Sequence, residues 1–212
     1  MLRRQEHDVV MKMAVGGAYE IIGAKEKEFL LSIGLKPNDY VVDVGCGSGR
    51  LSTALRDTPS LRYLGTDVVP DLIEYAVTKC ARPDWKFRVV QSLTIPERDS
   101  QADMIVFFSV FTHLTPRECF DYLCEANRVV KPNGQIVVSF LDRTEPYCRS
   151  VAGNWIFATA ARICGRGVKN TLLNQDDLRQ WGIRLGLEYR FNGIEAFGQA
   201  VCVYRKPLQR FA

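Results

Sequence analysis

Val41-Val42-Asp43-Val44-Gly45-Cys46-Gly47-Ser48-Gly49-Arg50-Leu51 is the stretch on which the reading of this chain turns. Tyr40–Val44 is short, β-branched and bounded by Asn38-Asp39 and a glycine loop, which predicts a buried strand. Ser48–Arg56 then predicts a helix. Glycines between a strand and a helix let the chain turn sharply and let a ligand approach the backbone. The helix N-terminus adds free N–H donors and the positive end of a dipole. The loop therefore suits a polar or anionic ligand group at the tip of the first strand.

The alternation continues outward from that loop. Leu61–Thr66, Lys86–Val90, Asp103–Phe108 and Gln135–Leu141 read as strands. Helices are predicted over Pro70–Cys80, with its proline in the first turn, and from Thr115-Pro116 to about Val130, with Thr115 as N-cap. Lys131-Pro132-Asn133-Gly134 reads as the turn that ends the second of these. Upstream, Tyr19–Ile33 predicts an amphipathic helix that covers a sheet edge, closed by Gly34 at C′. Downstream, Asn174 caps a helix that runs to Leu185 and is closed by Gly186. Leu187–Asn192 and Gln199–Arg205 follow with only a short glycine-containing link, so the last strand should run antiparallel to its neighbour. The expected fold is α/β: a doubly wound, mostly parallel seven-stranded sheet with an antiparallel last strand. One domain over residues 1–212 accounts for the length. Within it, 1–35 forms the covering segment and 143–171, with a short helix at Asn154–Ile163, an insertion.

Two ligand classes compete for the loop. The dinucleotide fingerprint G-x-G-x-x-G carries a third glycine for close helix–sheet packing. Arg50 occupies that position here, and Asp43 stands two residues ahead of the first glycine. A carboxylate so close disfavours a pyrophosphate and suits an ammonium or sulfonium. Asp67 ends the second predicted strand and can accept from both hydroxyls of a ribose, a feature common to both classes.

Four motifs in this order and spacing, VVDVGCGSGRL, LGTDVVPDLIEYA, DMIVFFSVFTHL and EANRVVKPNGQIVVSF, give the chain a resemblance to the class I S-adenosylmethionine (SAM)-dependent methyltransferases in their small single-domain bacterial form. The resemblance covers roughly residues 15–206. It implies SAM as cofactor and S-adenosylhomocysteine as product. Gly45, Cys46, Gly47 and Gly49 would wrap the methionine part, with Asp43 near its ammonium group. Asp67, with Val68 beside it, would take the ribose. Gln91 stands where the family often has an acid for the adenine amine, flanked by Ser92 and Leu93. Ser109 would touch the methionine end, and Tyr19 would fold over the cofactor.

Methyl transfer is an in-line displacement, so alignment and exclusion of water carry much of the rate. A base is required only for a hydroxyl or a protonated amine. His113, after the fourth strand, is the candidate, because imidazole titrates near neutrality. Arg143, Tyr147, Arg149 and Trp155 belong to a basic, aromatic stretch suited to an anionic or sugar-bearing acceptor. The function expected is methyl transfer to oxygen or nitrogen of a small molecule, with a sugar or glycoconjugate as one candidate. A SAM-binding sensor or partner subunit is the alternative, and a nucleotide-linked oxidoreductase comes third.

Composition bounds these readings. The net charge of +4 comes without a dense Lys/Arg run, so no nucleic-acid partner is expected. Seven cysteines, none in a C-x-x-C pair, read as reduced thiols, and no metal spacing is present. Neither a signal-peptide h-region nor a membrane-length apolar run appears, which predicts a cytoplasmic protein without membrane insertion.

Overall fold

The computed structural model describes residues 2–152, 170–195 and 197–208. The strands are β1 (Tyr40–Val44), β2 (Arg62–Asp67), β3 (Lys86–Val89), β4 (Ala102–Phe107), β5 (Val130–Asp142), β6 (Leu172–Leu173), β7 (Glu188–Ile194) and β8 (Ala200–Arg205). The helices are α1 (Leu2–Ala14), α2 (Tyr19–Ser32), α3 (Arg50–Leu55), α4 (Pro70–Cys80), α5 (Pro116–Val129), α6 (Pro146–Ala152) and α7 (Gln175–Arg184). The sheet runs β3-β2-β1-β4-β5-β8-β7, and two-residue β6 adds to β5 at its carboxyl end. β1 to β5 are mutually parallel, while β8 runs antiparallel to both β5 and β7. The α/β sheet with its antiparallel last strand is therefore as the residues predict.

Period-two alternation builds the core on both faces. Val42, Val44, Ile105, Phe107, Ile136 and Val138 point to one side, where α5 and α7 cover them. Val41, Met104, Val106, Val137 and Val201 point to the other, beneath α2 and α3. Parallel strands need both faces dry, which is why these runs are apolar at nearly every position. α2 consequently lies across a face, with Phe29 and Leu30 buried against β4, β5 and β8, instead of guarding an edge.

Local signals explain the boundaries. Thr115 forms a full capping box with Glu118 at the start of α5. Asn174 takes the N-cap position of α7 without a side-chain bond. Lys131–Gly134 stops α5 as expected but becomes an excursion within β5: the register to β4 jumps from Ala102↔Val130 to Met104↔Gln135. Lys131 holds it there through the Asp103 carboxylate, at 2.7 and 2.8 Å. The N-terminus forms a helix of its own. Asp8 of α1 accepts from the Tyr75 hydroxyl at 2.6 Å and from Lys79 at 2.7 Å, both on α4. α6 lies in the stretch that sequence left unassigned. The helix expected at Asn154–Ile163 falls outside the described residues.

Gly49 is the point where loop geometry and helix packing meet. It is the N-cap of α3 at φ 83°, and a Cβ there would lie 2.9 Å from Ala76 Cβ and 3.1 Å from its Cα on α4. Gly49→Ala should therefore lower stability by at least about 1–2 kcal/mol, the cost of a left-handed non-glycine residue. Urea unfolding reads this as a lower midpoint. An unchanged midpoint would mean that the α3–α4 contact is not tight.

Candidate functional site

The glycine loop is held by the end of β2. Gly45 and Cys46 both donate their N–H groups to the Thr66 carbonyl, at 2.7 and 2.9 Å. Gly47 donates to Asp67 Oδ2 at 2.9 Å, and Asp67 Oδ1 accepts the Val69 N–H at 2.9 Å. Each carboxylate oxygen keeps a further lone pair. Behind the loop, the buried Tyr19 hydroxyl donates to the Ser48 carbonyl at 2.8 Å.

A cavity of about 170 Å³ opens at the carboxyl ends of β1, β2 and β4. Its walls are Asp43, Gly45–Gly47 and Asp67 from the first two strands and their loops, with Phe108, Ser109 and His113 after β4. Ala14 and Val15, at the end of α1, lie over it. Three carboxylates, Asp43, Asp67 and Glu26, face it with one guanidinium, Arg50. This charge balance favours a cationic ligand group.

Burial dominates the acids. Asp43 is 3% exposed and accepts from the Tyr63 hydroxyl at 2.5 Å. Desolvation pushes its pKa up to about 7, with the Tyr63 bond acting the other way. Burial also raises Asp67, opposed by the backbone N–H groups that it accepts. Glu26 is raised by desolvation against the pull of Arg50, whose Nη2 lies 2.5 Å and Nε 3.2 Å from its carboxylate. Arg50 Nη1 also reaches back to the carbonyls of Val15 at 3.1 Å and Gly16 at 3.3 Å. The residue that breaks the dinucleotide fingerprint thus ties the α1–α2 link to the glycine loop.

After β4 the backbone turns through Ser109 at φ 62°. Its N–H donates to Ser139 Oγ at 2.7 Å, and its Oγ accepts from Gln199 Nε2 at 2.8 Å. His113 ends the short 3-10 turn Phe111–His113 with its ring at the cavity mouth. Desolvation alone holds its pKa below the ordinary histidine value. The imidazole is therefore neutral at neutral pH.

The expected residues do not all converge. Asp43, Gly45, Cys46, Gly47, Asp67, Ser109 and His113 line the cavity. Gly49 caps α3, and Tyr19 does not fold over the cavity, because its hydroxyl is committed to the back of the loop. Val68 and Gln91–Leu93 lie outside the cavity wall, and Ser92 pairs with Thr94 at 2.8 Å. Arg143 donates to the Leu172 carbonyl, and Arg149 to the carbonyls of Arg143 and Thr144. Tyr147 is exposed, and Trp155 lies outside the described residues. Glu26, Val15 and Phe108 were not anticipated. The one readable signal among them was an acid at a helix position that packing requires to be apolar. Among the described residues no metal-type cluster of His, Cys, Asp or Glu occurs, and no helix is long and apolar enough to cross a membrane.

Comparison with known proteins places this geometry. A family model described as a methyltransferase domain matches residues 41–134, from β1 into the first part of β5. The malonyl-[acyl-carrier protein] O-methyltransferase of Hahella chejuensis is 29% identical over 135 residues, 60% of this chain and 47% of the relative. The demethylmenaquinone methyltransferase of Symbiobacterium thermophilum is 23% identical over 155 residues, 69% of this chain and 58% of the relative. The chain thus spans less than two thirds of the length of these curated relatives. Among solved structures, a Haloferax volcanii protein in complex with the Trm112 methyltransferase activator matches with TM-score 0.68 at 21% identity, covering 87% of this chain and 89% of that one. A Methanosarcina mazei SAM-dependent methyltransferase matches at 0.61 and 18%, covering 85% and 98%.

Asp43 makes a ligand-free prediction. Its folded pKa of about 7 stands above the ordinary 3.8. Between those values the folded state holds a proton that the unfolded state releases, so stability falls as pH rises across that window. Asp43→Asn lacks this loss. Its thermal midpoint should exceed that of the parent at pH 8, and the advantage should shrink toward pH 5. A pH-independent difference would remove Asp43 as the titrating group.

Proposed function

We propose that the chain, whose residues 41–134 match a methyltransferase-domain model, acts as a class I SAM-dependent methyltransferase and transfers the methyl group of SAM to an oxygen or nitrogen of a small molecule. The observation that carries the reading is the acid-lined cavity at the carboxyl ends of β1, β2 and β4, beneath the glycine loop. SAM supplies an activated methyl group on a sulfonium. The donor set fits it: Asp43 and Glu26 suit its ammonium, and the spare lone pairs of Asp67 suit two ribose hydroxyls. Ser109 offers a hydroxyl to the amino-acid end. Gln91, with Ser92 and Leu93, stays the assignment for the adenine edge, along the carboxyl end of β3.

For a hydroxyl acceptor, His113 takes the proton. Its depressed pKa keeps it in the basic form, and its place at the cavity mouth sets it between solvent and the donor site. Among the described residues no side chain orients its ring, so the acceptor itself must do so. Oxygen is the favoured acceptor atom, since the Hahella chejuensis relative and a Dictyostelium discoideum ubiquinone-biosynthesis relative are both named O-methyltransferases. The sugar reading has lost its support. Arg143 and Arg149 each turn only one nitrogen to neighbouring carbonyls, no sugar-specific arrangement accompanies them among the described residues, and the two relatives described above carry no sugar in their names. Tyr147 remains exposed on α6 as an acceptor-side surface.

Two measurements test this. Calorimetric titration should show SAM and S-adenosylhomocysteine binding with no comparable affinity for NAD, and Asp67→Ala should weaken the former by about 1–3 kcal/mol. NAD binding without SAM binding would sink the proposal. In a labelled-methyl assay against metabolite fractions, His113→Ala should slow turnover by about 10²–10⁴-fold with donor binding intact, and the parent rate should fall only below the usual histidine range. Normal turnover would leave alignment as the whole mechanism, and donor binding without any transfer would indicate a sensor.

A further inference from the structure

The link between β7 and β8 reads in sequence as a plain hairpin turn, yet its last residues reach the wall of the donor cavity. The Phe197 ring sits edge-on to Phe108 at 5.4 Å, and Phe108 lines the cavity. The next two residues, Gly198 and Gln199, stand against α6 and β4. At Gly198, φ is 84° and a Cβ would lie 3.1 Å from the Tyr147 hydroxyl. Gln199 closes a ring of hydrogen bonds with Ser109 and Ser139, drawn from the ends of three strands.

The protons in that ring can be counted. Ser139 is fully buried, and its Oγ accepts the Ser109 N–H at 2.7 Å. Its single hydroxyl proton goes to Gln199 Oε1 at 2.7 Å in preference to the Phe107 carbonyl at 3.4 Å. Gln199 must then present its amide nitrogen to Ser109, 2.8 Å away, and Ser109 Oγ must accept. The Ser109 proton has no partner within the ring, and Ser109 lines the cavity.

We propose that Gln199 is a positioning residue that sets the polarity of the donor site, making Ser109 a hydrogen-bond donor toward a carboxylate of the bound ligand. This rests on the reading that the cavity takes SAM. The amino-acid end of that ligand carries an ammonium and a carboxylate together. Glu26, Asp43 and Asp67 favour the first and repel the second. A hydroxyl that accepts from Gln199 and keeps its own proton free gives the carboxylate a donor among acids.

The test uses two ligands that differ only at that end: S-adenosylhomocysteine and 5′-methylthioadenosine, which lacks the amino acid. Gln199→Glu at pH 8 presents a side chain that only accepts, so Ser109 donates to it and is lost to the ligand. Calorimetry on the full chain should show S-adenosylhomocysteine affinity reduced about tenfold or more, with 5′-methylthioadenosine unchanged. Ser109→Ala leaves the hairpin intact and should give the same selective loss, also if Gln199→Glu does not fold. The double variant should lose no more than either single one. Unchanged S-adenosylhomocysteine affinity, or equal losses for both ligands, overturns the assignment while leaving the donor site standing. A parent chain that binds neither ligand overturns the donor-site reading and this assignment with it.

Discussion

Three consecutive amides of the glycine loop, those of Gly45, Cys46 and Gly47, end on two residues of β2. Everything else at the site depends on that grip. A loop leaving the carboxyl end of a parallel strand carries N–H groups that no ladder can satisfy, and buried backbone groups must be paired. Thr66 takes two of them with its carbonyl, and Asp67 takes the third with its side chain. The loop curls toward β2 as a result, and the cavity opens on the side facing β4. Asp67 is then a structural acceptor with capacity to spare at the cavity wall, because a carboxylate has more lone pairs than the loop uses.

The same arrangement is costly. Asp43, Glu26 and Asp67 all have pKa values raised by burial, and only Glu26 has a charged partner in contact. Carboxylates kept out of water without cations are poor stabilisers, and such groups gather where a ligand is to supply the missing charge. Tyr63 tempers the cost at Asp43, and its own ring is fixed by stacking on Trp85 at 4.6 Å. The core therefore supports the acid from below, while the cavity leaves it open to a cation above.

Local chemistry was legible in the sequence and long-range pairing was not. The strand and helix alternation, the Thr115 cap, the Pro70 start and the antiparallel last strand all follow from periods and turn residues within a few positions of one another. Lys131–Gly134 looked like a plain turn because its tie, the Lys131–Asp103 pair, spans two strands. α1 went unseen because its anchor, Asp8, bonds Tyr75 and Lys79 on α4, over sixty residues away. At the site, Asp43 and Asp67 announced themselves beside glycines. Glu26 showed only as an acid at an apolar helix position and Gln199 not at all, since what makes each matter is a partner far along the chain: Arg50 for the first, Ser109 for the second.

Arg50 shows why position outweighs motif. In a dinucleotide fingerprint the third glycine serves close packing of helix on sheet. Here close packing falls to Gly49, against Ala76, and the next position is released for a long side chain. Arg50 uses that freedom to bond Glu26 and the carbonyls at the end of α1, which draws Val15 over Gly47. A glycine at 50 would leave Glu26 buried without a partner and the α1 end without a tether. The residue that argues against a dinucleotide in the sequence therefore also ties Val15 and the end of α1 to the cavity lining. The departure from the dinucleotide fingerprint and the closure of the site fall on the same residue.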